Sequence, residues 1–175
     1  MQKDIFVEKI VKRRKTGLEH LFTVLILISA ISLIAFSFLI LIVMNANFIA
    51  VAAIFSAGIV YLTYRIITRF NRDYEYSITN DELLIDEVIS QRKRNRVFTG
   101  TCKDFTIVAP ISGSDFTDRA YHDLVRLDFR SGEDAAAGWF FVTRKSGHTM
   151  MILFEPDDRF IEAFKRYIPR LVKTV

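Results

Sequence analysis

Hydrophobic and polar positions divide this chain into stretches with different periods. Residues 20–64 contain no Asp, Glu, Lys or Arg, and within them the apolar runs 21–44 and 48–67 are separated by Asn45-Ala46-Asn47. A helix rises about 1.5 Å per residue and the bilayer core is about 30 Å thick, so roughly 20 residues cross it. The pattern predicts a two-helix transmembrane hairpin within residues 20–70, folded back at the asparagines. A buried hairpin of a soluble protein would carry a polar stripe, whereas residues 25–43 offer only Ser29, Ser32 and Ser37. A cleavable signal has a shorter apolar core and a small-residue cleavage site, so the first run reads as a retained anchor.

From Asp73 onward the period becomes two. Tyr74, Tyr76 and Ile78 alternate with Glu75, Ser77 and Thr79, Asn80-Asp81 supplies a turn, and an extended run resumes at 83–89. Further strands are expected over 94–99, 105–109, 124–129, 139–143 and 150–154, with longer loops at 111–120 and 131–138. Seven short strands without intervening helices predict an antiparallel barrel or sandwich. The period then returns to helical. Pro156 suits a first helical position, Asp157 and Asp158 complement the positive helix end, and Phe160, Ile161, Phe164, Tyr167 and Ile168 form one apolar face. This amphipathic helix should cap the sheet.

Residues 1–19 read as a basic N-terminal segment. Ile5, Phe6, Ile10 and Val11 could share one face of a short helix lying on a membrane surface, the alternative being a frayed basic tail. The fold class is thus α+β: a transmembrane hairpin followed by a seven-stranded antiparallel sheet system over 73–175, capped by a C-terminal helix.

Charge sharpens the topology. The net charge of +4 and pI near 9.3 suggest nucleic acid at first sight. Partition removes that reading: residues 1–72 hold nine Lys and Arg against three acids, residues 73–175 fifteen against seventeen. The basic excess flanks the apolar runs, at Lys3, Lys9, Lys12, Arg13, Arg14 and Lys15 before them and Arg65, Arg69 and Arg72 after. By the positive-inside rule both termini are cytoplasmic, with only the Asn45–Asn47 turn outside. One Cys excludes a disulfide framework and a multi-Cys zinc site.

The two spans, the segment YEYSITNDELLID and the C-terminal EPDDRFIEAFKRYIP together resemble bacterial membrane proteins that carry a cytoplasmic pleckstrin-homology-like (PH-like) domain. In particular, residues 74–110 are similar to a clostridia-type family of two-span proteins typed only as a domain of unknown function. The resemblance covers nearly the whole chain; it implies a fold and a bacterial plasma membrane, and brings no catalytic signature with it.

Among candidate sites, Arg92-Lys93-Arg94-Asn95-Arg96 is the most conspicuous. On a strand, Arg92, Arg94 and Arg96 would project from one face at about 7 Å spacing, a ladder for anionic headgroups; the alternative is a solvated edge strand balancing Asp86 and Glu87. Ala46, Ala50, Ala53 and Ala57 recur on one face of the second helix, with Gly58 beside them, a packing seam for Ser29, Ser32 and Ala35 of the first. Ser112, Ser114, Asp115, Asp118, His122 and Asp123 hold the residue types of a hydrolase or a metal site. They come without a nucleophile elbow or glycine-lined oxyanion site, and read as turn chemistry. Cys102 and Trp139 read as packing residues. No catalytic residue, metal, cofactor, nucleic acid or small-molecule substrate is expected. The expected function is a non-enzymatic, membrane-anchored binding or scaffolding module whose partners are the lipid bilayer and a membrane or cytoplasmic protein. The alternatives are an anionic-lipid sensor working through Arg92–Arg96, and an accessory subunit of a transport complex working through the Ala50, Ala53, Ala57 face.

Overall fold

The computed structural model describes residues 6–43, 49–116, 121, 123–132, 138–145 and 147–173. The chain forms two compact units, one of residues 15–71 and one that joins residues 1–14 to 72–175.

The first unit is a pair of helices, α1 (Gly17–Val43) and α2 (Ile49–Thr68). At the start of α1 the Glu19 carboxylate accepts the Thr16 backbone N–H at 3.0 Å, one arm of a capping box. The hydroxyls of Thr23, Ser29 and Ser37 donate to carbonyls one turn back, so these polar groups are satisfied within the helix itself. Both helices are long and apolar enough to cross a membrane. Their large side chains point outward, Ile42 at 80% exposure and Ile54 at 75% being extreme. The Asn45–Asn47 fold-back lies outside the described residues.

The seam between the helices departs from the expected one. The least exposed positions are Thr23, Ile26, Ala30, Ile34 and Ser37 on α1 and Ala52, Ser56, Ile59 and Thr63 on α2, at helical spacings of three and four. Ala50, Ala53 and Ala57 are exposed, roughly 120° round α2 from that seam at 100° per residue. Small residues permit close approach but do not select which face is used: among the described residues Ala30 and Ala52 are the buried ones on their helices. Ala46 lies outside the described residues.

The second unit is built on two four-stranded sheets. Sheet A has the order β1 (Phe6–Lys12), β2 (Arg72–Thr79), β3 (Glu82–Ile89), β4 (Lys93–Thr101), all antiparallel. Sheet B has the order β5 (Phe105–Pro110), β7 (Trp139–Lys145), β8 (His148–Phe154), β6 (Val125–Asp128). The expected seven-stranded antiparallel barrel or sandwich is therefore corrected in two ways: the described residues form eight strands in two sheets and not a single seven-stranded barrel, and β6 runs parallel to β8. The parallel pair arises because the connection after β6 carries the chain past β8 before β7 begins.

The eighth strand comes from the basic N-terminal segment, which is neither a surface helix nor a tail. Of the expected helical face, Ile5 lies outside the described residues; Phe6, Ile10 and Val11 have helix-like spacing, but a seven-residue segment cannot hold an isolated helix in water. Pairing along all of β1 gives the β2 edge its hydrogen bonds and buries Val7 and Val11.

The interior of the unit is an aromatic core: Tyr76, Ile78, Leu83, Ile85, Phe141, Ile152 and Phe154 are fully buried, joined by Phe160 and Phe164 from α3 (Asp158–Tyr167). Asp157 caps α3, accepting the Phe160 N–H at 3.1 Å, so Pro156 sits one residue before the cap and not inside the first turn. Sheet B is apolar on its other face too. There Ala109, Phe140, Val142, Met151 and Leu153 form a second cluster beneath Phe116, Tyr121 and Leu124, which explains why Phe140–Thr143 reads as a continuous buried run. Beyond α3 the chain returns to β5, the Val108 N–H donating to Leu171 and Lys173 donating to Val108.

Candidate binding surface

Strand register determines which charges meet. Lys12 pairs with Asp73, Asp73 with Val88, and Val88 with Arg94; beside this row Arg72 pairs with Ile89 and Ile89 with Lys93. One end of sheet A therefore gathers Lys12 and Arg13 from the end of β1, Arg72 from the start of β2, Arg92 from the β3–β4 turn, and Lys93 and Arg94 from β4. At a strand separation of about 4.8 Å this rim is about 14 Å wide. It is also the end at which the chain departs for α1 and returns from α2.

The basic run does not form the three-rung ladder. Arg92 lies in the turn Ile89–Arg92, where its N–H donates to Ile89 C=O at 3.1 Å. Ser90 and Gln91 hold φ of 49° and 57°, the left-handed pair that a tight hairpin needs and that Asn-Gly would adopt with less strain. Arg94 and Arg96 do share the outer face of sheet A by simple alternation, and the register shift at Ile85/Asp86 is what puts Arg96 on that face while Phe98, two residues on, is buried. Both are paired there: Arg94 reaches Glu75 at 3.0 Å, and Arg96 makes two hydrogen bonds to Asp86, at 3.0 and 3.3 Å. Glu75 is held above the ordinary carboxylate range, first by burial, with Arg94 opposing and Glu8 reinforcing. These arginines thus balance carboxylates on their own sheet. Lys12, Arg92 and Lys93 are exposed, and no ion pair of theirs is present among the described residues.

Inside the rim a polar network anchors the end of β1. Tyr74 is buried against Phe129; burial raises its phenol, Arg13 and Arg72 opposing and Glu87 and Asp128 adding to the rise. Arg72 is tied to Glu87 at 3.1 Å. Arg130, only 8% exposed, is held by both oxygens of Asp128, at 2.9 and 2.6 Å. The Tyr76 hydroxyl donates to Phe129 C=O at 2.6 Å. Glu155 accepts from the backbone and hydroxyl of Ser131, and Ser131 C=O accepts the Arg14 N–H at 2.6 Å. Lys9 completes the tie by donating to Glu155 C=O at 2.8 Å. Arg14, two residues beyond β1, is thereby fixed to the body of the sheet unit.

The remaining candidates do not converge. Ser112, Ser114, Asp115 and Asp123 lie in the loop between β5 and β6, while Asp118 and His122 lie outside the described residues. No group of three His, Cys, Asp or Glu side chains that could hold a metal is present among the described residues. Cys102 is fully buried and its thiol is pushed up to about 12, chiefly by desolvation, which leaves it protonated and unreactive. Trp139 packs against the main core from its edge. Lys12 and Arg13 read in the sequence as part of a basic cluster that favours anionic headgroups, and Arg72 as a topology signal; their meeting with Arg92 and Lys93 follows from register, which no local pattern carries.

A family model described as "Bacterial PH-like domain (DUF6106)" matches residues 3–174. No curated protein and no solved structure matches the chain.

Proposed function

The chain belongs to the bacterial PH-like domain family, and from that premise we propose that it is a membrane-anchored, non-enzymatic binding or scaffolding module. PH-like domains are in general non-catalytic and present a surface to a partner. The observation that carries the membrane half of this reading is where the apolar helices are inserted. They interrupt the chain between two neighbouring strands, so the sheet unit is attached to them through β1 and through β2. Apolar side chains that point outward along the described length of both helices would cost about 25 cal/mol per Å² in water and nothing comparable in lipid. The basic residues at both helix bases favour a hairpin with both termini on the cytoplasmic side of a plasma membrane. On this reading the PH-like unit recruits a protein at the cytoplasmic face.

Fractionation of cells expressing the full chain tests the anchor: the protein should stay in the membrane pellet through carbonate washing and require detergent for release. Recovery in the soluble fraction would sink the reading. Topology needs an introduced thiol, because native Cys102 is buried. In a Cys102→Ala background, Gln91→Cys should resist an impermeant maleimide in intact cells and react after the membrane is opened. Covalent cross-linking in native membranes followed by detergent purification should then bring down a stoichiometric protein partner.

A further inference from the structure

We propose that Glu8 and Glu75 form a proton-dependent clasp between β1 and β2, which closes when the two carboxyls share a proton and loosens when both are charged. Both residues belong to the sheet unit, so the clasp stands apart from the membrane reading. Register sets the pair. Glu8 lies opposite Ser77 and Ile10 opposite Glu75, so the two glutamates are diagonal neighbours on the outer face of sheet A, at a separation of about 7–8 Å that long side chains close. Their carboxyls meet there in hydrogen-bonding contact. A charged carboxylate only accepts, so that contact needs a proton on one of the two.

The surroundings favour that proton. The Glu75 side chain is only 12% exposed, and burial is the first cause that lifts its carboxyl above the ordinary 4.5; Arg94 opposes the rise, and Glu8 and Asp86 add to it. Glu8 faces it from β1, Asp86 from directly opposite on β3, and Arg94 from β4 at 3.0 Å. Asp86 is itself held by Arg96, while Lys12 and Asp73 pair in the next row. From α3, Arg159 donates to Glu8 C=O at 3.3 Å, its guanidinium held by Asp157.

β1 is the strand on which such a clasp is felt. No tight turn joins it to β2, and its buried apolar side chains are Val7 and Val11. Two further ties, from Lys9 to Glu155 C=O and from Arg159 to Glu8 C=O, end on backbone oxygens, which take up no proton. A carboxyl whose folded value exceeds its unfolded one contributes stability that is complete below the unfolded value and is lost as pH rises through the folded value. β1 is therefore held most firmly in acid and less firmly toward neutral pH.

The test is hydrogen exchange of the purified full chain from pH 4.5 to neutral, each rate divided by the intrinsic rate of the same amide at that pH. Protection of the β1 amides should fall severalfold across the range, while that of Leu83–Ile85 in β3 stays level. Glu8→Gln should abolish the fall and keep β1 near its acid protection, because the amide donates to Glu75 whatever the charge there. Glu75→Gln should do the same from the other strand. Arg94→Gln should move the fall to higher pH, and Glu162→Gln, exposed on α3, should leave it in place. Protection of β1 that does not depend on pH in the unmodified chain would overturn the proposal, as would an unchanged profile in Glu8→Gln. Glu8 is exposed, so this variant decides the matter even where Glu75→Gln fails to fold.

Discussion

Lys12 and Asp73 are paired across β1 and β2, although the whole helical pair lies between them in the chain. In most antiparallel neighbours a short turn makes that connection; here its place is taken by α1 and α2. The sheet unit is consequently assembled from both sides of the apolar stretch, and a fragment beginning at Arg72 lacks an edge strand. Such a fragment loses the burial of Val7 and Val11, about 1.5–3 kcal/mol each, together with the pairing of the β2 edge. It should be unfolded or aggregated, whereas residues 5–12 joined to 73–175 through Asn-Gly should be soluble and unfold cooperatively. Circular dichroism and thermal melts of the two proteins check this; a cooperative melt of the short fragment would count against the role given to β1.

Tyr76→Phe should destabilise that spliced protein by about 1–3 kcal/mol. The substitution keeps the ring in its aromatic setting against Phe154 and Phe160 but leaves the Phe129 carbonyl without the hydroxyl it accepts. Urea denaturation measures the change, which should shift the midpoint and leave the slope alone.

Asp157→Ala should cost about 1 kcal/mol at neutral pH, through loss of the cap on α3. Its carboxyl lies below the ordinary 3.8: burial works against this, and Arg159 together with the Phe160 N–H outweighs it. A carboxyl with a folded value below its unfolded value contributes stability that is present above about pH 3.8 and is lost as pH falls through the folded value. The gap between wild type and variant should therefore narrow in acid. A gap that widened below that pH would contradict the assignment.

Ala52→Leu should disrupt packing of the two helices, while Ala53→Leu should leave it intact. Ala52 is buried in the seam and its neighbour points away, so one residue of register separates a clash from a tolerated change; overpacking of this kind costs about 1–3 kcal/mol. Resistance of the full chain to unfolding in detergent distinguishes them, and equal sensitivity of both variants would restore the stripe of small residues as the seam.

Arg96→Ala and Asp86→Ala, singly and together, should show a coupling of no more than about 1 kcal/mol in a double-mutant cycle on the spliced protein. The pair is exposed on the arginine side and screened by water, even though its geometry is two-pronged.

By itself the sequence determined the features that depend on local period and composition. The apolar runs flanking Asn45–Asn47 define α1 and α2, the alternation from Tyr74 to Thr79 defines β2, and six further strands and the C-terminal helix follow from runs of the same kind. Tertiary structure decided whatever depends on a distant partner. Phe6–Lys12 became a strand because the edge of β2 needed one, against a spacing that also fits a helix. Ala52 and Ala30 became the helix seam in place of Ala50, Ala53 and Ala57, since complementary surfaces on two helices must fit together and neither sequence alone contains the fit. Arg94 and Arg96 were drawn to Glu75 and Asp86 by strand register, leaving Arg92 and Lys93 to share a rim with Lys12. Pairing and register are set by which residues lie opposite one another, and that information is spread across the two ends of an interrupted sheet.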